Sequence, residues 1–381
     1  MKVLQQILKI IGGLLIGVGA GLVIAAVGVV VFTDTTLSGF ISNLMETDLS
    51  EAIGAIMVGV ASLFVSVPVL VIIHEAGHLV SGLLSGYSFV SFRVFNLTFI
   101  RQDGVLRIKR YSIAGTGGQC LLCPPDRPLD KIPTAWYNIG GVVANVVVFL
   151  AVLPLMWMPL SAFAKEGVSI FLLIDLIMIC LNGIPMQAGG IGNDAYNMLM
   201  LRSNMTAKRG FISQLRSNAL IQAGVRPKDM PDEWFGAAGD VNFQNPLEAA
   251  VVIMDASRLV DMERWEEARR VFNEIYSHKD ELMAIYVKEV ECELVFLSLV
   301  MGRVDEAKVM LTPKLMEYIS QYRQMMSSKE RTMAAIEYHI NGDRDKSKAI
   351  YDSLEQQRDR YLLAGEVDSD LALMRATHLN G

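Results

Sequence analysis

His74, Glu75 and His78 stand in the middle of an otherwise apolar run, "VIIHEAGHLV" at residues 71–80. On a helix, residues four apart lie about 40° from each other around the axis, so the two histidines share a face and can grip one metal ion. Imidazole nitrogen suits zinc, and a catalytic zinc takes three protein ligands and leaves a position for water. Glu75 is rotated about 100° from His74. That makes it a poor ligand but a good general base, able to take a proton from a water that the metal acidifies. This is the HExxH arrangement of zinc hydrolases.

Two histidines leave the set one ligand short. The other histidines, His278, His339 and His378, all lie in the charged second half of the chain, so the third ligand is expected to be a carboxylate. Asp175 interrupts an apolar run, and Asp194 follows "LNGIPMQAGGIGN", where Gly189, Gly190 and Gly192 permit a bent backbone. Each ionisable residue at membrane depth costs about 2.5–3.5 kcal/mol, so three at metal spacing are hard to explain as packing. The competing readings are a polar cluster bridging helices and a zinc site without hydrolysis, as in a transporter.

The elements that must position these residues read as membrane helices. Of 381 residues, 52% are apolar, and they concentrate in the first half. The net charge of −6 and the lack of a basic tract argue against a nucleic-acid partner. A span needs about 20 apolar residues, and four segments qualify: 10–32, 52–85, 135–158 and 168–186. The first carries Gly13, Gly17 and Gly21, a small-residue ladder for close helix contact. It offers no cleavage site and reads as a retained anchor. The second is too long for one straight span, and Pro68 is placed to kink it. The third has Trp136 and Tyr137 at one end and Trp157 at the other, as interfacial aromatics sit.

The loops give a direction. Residues 33–51 carry Asp34, Glu46, Asp48 and Glu51 but no Lys or Arg, whereas residues 86–133 carry Arg93, Arg101, Arg107, Lys109, Arg110, Arg127 and Lys131. The positive-inside rule puts the second loop and both termini in the cytosol. His74 and His78 then lie about 10–16 Å inside the cytosolic face, at 1.5 Å per residue.

With these residues assembled, the chain resembles the site-2 protease family of intramembrane zinc metalloproteases. The resemblance rests on His74-Glu75-x-x-His78, on Asn182-x-x-Pro185 followed by an aspartate, and on Gly141-x-x-x-Asn145, and it covers residues 52 to about 200. It implies one zinc ion per chain held by His74, His78 and Asp194, with Glu75 as general base. Asn182 and Asn145 are candidates to support a strained substrate backbone or a developing oxyanion. Two departures stand out: Asp194 follows Asn182 by twelve residues where the family has about eight, and Ala195 replaces the family's glycine.

A membrane helix hides its peptide bonds, so cleavage requires unwinding, and an unwound peptide can be held by adding it to a sheet edge. "FNLTFIRQDGVLRIKRYSI" has two strand-like runs around Asp103-Gly104, a hairpin signal. The following "GTGGQCLLCPP" is a candidate lining for substrate entry, and Cys120 and Cys123 within it read as inert thiols. Residues 194 to about 223 read as one helix, with Arg202, Lys208, Arg209 and Arg216 available to anionic headgroups. "AGVRPKDMPDEWFGAAGD" then reads as a linker. Beyond it, segments starting at Met262, Met301 and Asn341 resemble one another, with Ala268, Ala307 and Ser347 in equivalent places. That pattern is similar to tetratricopeptide repeats, which offer a concave partner surface.

The expected fold is mainly α. A polytopic helical membrane domain (1–200) has about four spans and a small β-hairpin region in a cytosolic loop (87–133). A juxtamembrane helix and linker (201–244) lead to an all-α helical-repeat domain (245–381). The expected activity is that of an intramembrane zinc endopeptidase in a bacterial plasma membrane, multi-pass, cutting transmembrane or signal-peptide-like segments near the cytosolic face. Its partners would be the bilayer, a membrane-embedded substrate and a protein bound on the repeats. The alternative is a non-catalytic membrane adaptor with a structural zinc site.

Overall fold

A computed structural model describes residues 36–46, 49–102, 105–110, 117–235 and 241–379. The described chain is mainly helical, with one small antiparallel sheet and a short ribbon. It divides into two compact units: one holds the residues up to Val80 with Asn138–Met186 and Asn193–Ala195, and the other holds the remainder.

Uncharged runs fold as helix because helix satisfies every backbone polar group within the segment. After α1 (Leu37–Glu46) comes α2 (Leu49–Leu84), 36 residues and about 54 Å long. It continues unbroken through Pro68 even though proline forfeits one backbone bond. Next come α3 (Ala135–Val152) and α4 (Ala162–Gly183); the Ser161 side chain caps α4 by accepting from the Ala164 N–H. A two-stranded ribbon, β5 (Gln187–Ala188) with β6 (Ile191–Gly192), precedes α5 (Asp194–Ser203).

Two stretches, Ser50–Leu84 and Leu129–Trp157, are long and apolar enough to cross a membrane, and only 11% and 28% of their most apolar windows are buried. The core helix of a soluble domain would be mostly covered. Here Phe64, Val147 and Leu150 stand out, each exposed by more than half. The expected span 10–32 lies outside the described residues. The expected span 168–186 falls on α4, which also carries Lys165, Glu166 and Asp175.

The expected hairpin is half of a four-stranded sheet. Strands β1 (Ser88–Val94), β2 (Leu97–Gln102), β3 (Val105–Arg110) and β4 (Gly118–Cys123) pair in the order β3-β2-β1-β4, all antiparallel. Gln102 faces Val105, and Asp103-Gly104 lies outside the described residues. Strand β4 is the "CLLC" stretch, buried at Cys120, Leu121 and Leu122. Neither of its cysteines is in a disulfide.

The helix expected from Asp194 to Ala223 is two helices, broken where Asn204 caps α6 (Met205–Gln222) by accepting from the Ala207 N–H. Three of its basic residues have partners inside the protein rather than facing headgroups. Lys208 donates to the Asp130 carbonyl, Arg209 to the carbonyls of Glu233 and Phe235, and Arg216 to the Pro125 carbonyl. The segment expected as a linker is packed as well: Met230 and Phe235 are buried against Ile221, and Arg226 binds Asp261.

The remaining helices are α7 (Pro246–Asp261), α8 (Trp265–Ser277), α9 (Ala284–Val300), α10 (Val304–Met310), α11 (Pro313–Tyr322), α12 (Ser327–His339), α13 (Arg344–Gln356) and α14 (Ala364–Met374). Glu263, Gly302 and Gly342 each adopt positive φ at the turn before α8, α10 and α13. Ala268, Ala307 and Ser347, buried in those helices, let the preceding helix pack close. This gives the three similar segments a shared geometry: helix, left-handed turn residue, helix.

The interior of this helical region also holds charge. Lys329 pairs with Glu289 at 2.8 Å, and Arg331 contacts both Glu293 and Asp370. Burial, reinforced by the charges of Asp370 and Glu289, pushes the nearby Glu366 carboxyl up to about 8. Below its ordinary value both folded and unfolded chains hold that proton; as pH rises toward 8 only the folded chain keeps it, so this group's contribution to stability is lost with rising pH. Glu366→Gln is therefore expected to match the wild type at pH 4.5 and exceed it at pH 8. Hydrogen-exchange protection of α14 in the full chain measures this, and parallel pH profiles for the two proteins would contradict it.

Candidate metal centre

Apolar helices that pack through small residues bring their backbones close. A β-carbon added at Gly77 of α2 would lie 2.3 Å from the Gly140 carbonyl oxygen and 2.6 Å from the Ala144 side chain of α3. At this crossing, α3 presents Gly141 and Asn145 to the histidine face of α2. A β-carbon at Gly141 would stand 2.6 Å from His78 Nε2 and 2.7 Å from His74 Nε2. Glycine at 141 thus lets the backbone of α3 come close to both nitrogens.

Asp194, in the first turn of α5, reaches the same place. Its Oδ2 lies 3.0 Å from His74 Nε2 and 3.3 Å from His78 Nε2, and the two histidine nitrogens are 3.2 Å apart. One ligand atom from each of the three residues lies within 4.8 Å of the others. Asp194 Oδ2 is buried against these two nitrogens. A buried carboxylate oxygen facing two imidazole nitrogens fits a cation, and the two-nitrogen, one-oxygen donor set suits zinc.

The stretch before Asp194 forms the β5–β6 ribbon, turned by Gly189 and Gly190 at positive φ. Asn193 closes the gap that this leaves. Its backbone N–H donates to the Met186 carbonyl, its side-chain oxygen accepts from the Met186 N–H, and its side-chain nitrogen donates to the carbonyls of Leu181 and Ile184. The end of α4 and the start of α5 are thereby tied at a fixed place, with Asp194 next in the chain. Asn193 escaped the sequence reading; its signal was an amide residue closing a glycine-rich segment directly before the candidate ligand.

The other expected site residues fall out as follows. Glu75 is half-buried beside His74 on α2. Asn145 is fully buried and both ends of its amide are occupied: Oδ1 lies 2.7 Å from His74 Nδ1, and Nδ2 donates to Asp175 Oδ1 at 2.6 Å. It thus links His74 to Asp175. Asp175, the rival third ligand, is fully buried behind Asn145 and does not join the three-residue group. Asn182 donates to the Met178 carbonyl one turn earlier in α4 and hydrogen-bonds none of the three ligands.

No family model, no curated protein and no solved structure matches the chain. Gly141→Ala should weaken zinc binding by at least about 10-fold, because the methyl group meets both imidazoles and displaces the ligands from the angstrom-level placement such sites require. Competition titration against a chromophoric chelator measures the effect, and unchanged affinity would show that the space at Gly141 plays no part.

Proposed function

We propose that this chain is an intramembrane zinc endopeptidase that resembles the site-2 proteases. The supporting observation is the convergence of His74, His78 and Asp194 on one buried point, contributed by two segments far apart in sequence. Packing does not require two imidazoles and a carboxylate at the same spot in apolar helices, and burying them without a partner is unfavourable. A zinc ion bound there would supply Lewis acidity and a more acidic water.

The protein's own groups take the remaining roles. His74, His78 and Asp194 hold the ligand positions. Glu75 follows His74 directly, offset around the helix from the two ligands, and serves as the general base that accepts a proton and passes it to the leaving amine. Apolar surroundings restrict bulk water, which strengthens each electrostatic interaction.

In this proposal the two apolar stretches are joined by 10–32 and 168–186 to make four spans, with both termini in the cytosol of a bacterial cell. The substrate is a transmembrane or signal-peptide-like segment, cut near the cytosolic face. An unwound substrate strand is held by β3, which lies at the sheet's edge with Val105, Leu106 and Ile108 exposed. The register makes 102–105, 100–107 and 98–109 the hydrogen-bonded pairs with β2, so Ile108 directs its N–H outward. The helical repeats recruit or regulate.

Glu75→Gln tests the activity. The variant should keep its zinc, lose cleavage by a factor of about 10² or more, and accumulate uncut membrane stubs detectable by proteomics of the membrane fraction. An undiminished phenotype with zinc retained would instead favour the membrane adaptor. Ile108→Pro should reduce cleavage with zinc still bound, since it removes an outward donor and leaves the β2–β3 ladder paired; normal cleavage would rule out the strand as a clamp.

A further inference from the structure

Metal-binding histidines need their second nitrogen fixed, because the tautomer decides which nitrogen carries the lone pair. Here that function falls to two residues of the apolar helices. Asn145 Nδ2 donates to Asp175 Oδ1 at 2.6 Å, which turns Asn145 Oδ1 toward His74 Nδ1 at 2.7 Å. An amide oxygen only accepts, so the proton of the pair lies on His74 Nδ1, which in the neutral ring leaves the lone pair on His74 Nε2, the atom 3.0 Å from Asp194. Asn145 and Asp175 are both completely buried, and among the described residues Asp175 Oδ2 has no hydrogen-bond partner. A carboxylate placed at such cost, hydrogen-bonded to Asn145, is not accounted for by helix packing.

We propose that Asp175 and Asn145 form a positioning relay, Asp175 to Asn145 to His74, that locks the imidazole of His74 in its metal-binding tautomer and orientation. The relay rests on the zinc-site reading above. Asp175 touches neither the ligand group nor any reacting atom, so it acts only through Asn145. The carboxylate fixes which way the amide points, and the amide fixes the ring.

Zinc affinity of the purified full chain, measured by competition with a chromophoric chelator, tests the relay without reference to proteolysis. Asn145→Leu should weaken binding by about 10- to 100-fold, the range for loss of a ligand's hydrogen-bond partner. Asp175→Leu should weaken it by about 10-fold, whereas Asp175→Asn, which still offers an acceptor oxygen to Asn145, should retain most of the affinity. Because Asp175 works through Asn145, the double variant Asn145→Leu/Asp175→Leu should bind no more weakly than Asn145→Leu alone. Full affinity in Asp175→Leu, or losses that multiply in the double variant, would overturn the relay while leaving the zinc site standing. Absence of zinc binding by the wild type would overturn both. Should Asn145→Leu fail to fold, the contrast between Asp175→Leu and Asp175→Asn decides alone: equal affinities overturn the relay.

Discussion

The close contact between α2 and α3 is the constraint on which the site depends. Side chains at Gly77 or Gly141 would push the helices apart or fill the space beside the histidines. Because both positions are glycine, Asn145 arrives within 2.7 Å of His74 and the two imidazoles are left uncovered toward Asp194. Close packing here brings the α3 backbone up to both imidazoles and carries a hydrogen-bonding residue to the back of His74.

A second constraint fixes the carboxylate. Asp194 comes from a segment more than a hundred residues beyond the histidine pair, after a glycine-rich passage that has no helical or strand propensity to hold it. Four hydrogen bonds from Asn193 supply the definition which that passage lacks. The two constraints differ in kind. One works by the absence of side chains at a helix crossing, the other by a single amide that ties a chain reversal.

Several of these features could be read from the sequence, and the reasons are physical. Helical period places His74 and His78 on one face regardless of tertiary structure, and the scarcity of other histidines in the apolar half pointed to a carboxylate. The repeated small residues Ala268, Ala307 and Ser347 marked the helix pairs because only small residues fit that packing. Partnering was harder to read. Asn145 looked like a substrate-binding residue, yet its partners lie on two other helices and no local pattern encodes them. Strand β4 has a composition that gives little strand signal, and it is a strand because β1 pairs with it. Lys208, Arg209 and Arg216 looked like headgroup ligands for the same reason: the carbonyls they bind come from segments distant in the chain.

The central claim is that two imidazoles and one carboxylate from separate helical segments hold a zinc ion within an apolar environment. Zinc K-edge absorption on the metal-loaded full chain tests it most directly. The account predicts one zinc per chain, a first shell of nitrogen and oxygen with two imidazoles, and loss of that signature in Asp194→Asn. Sulfur in the first shell, or the same signature in Asp194→Asn, would contradict it.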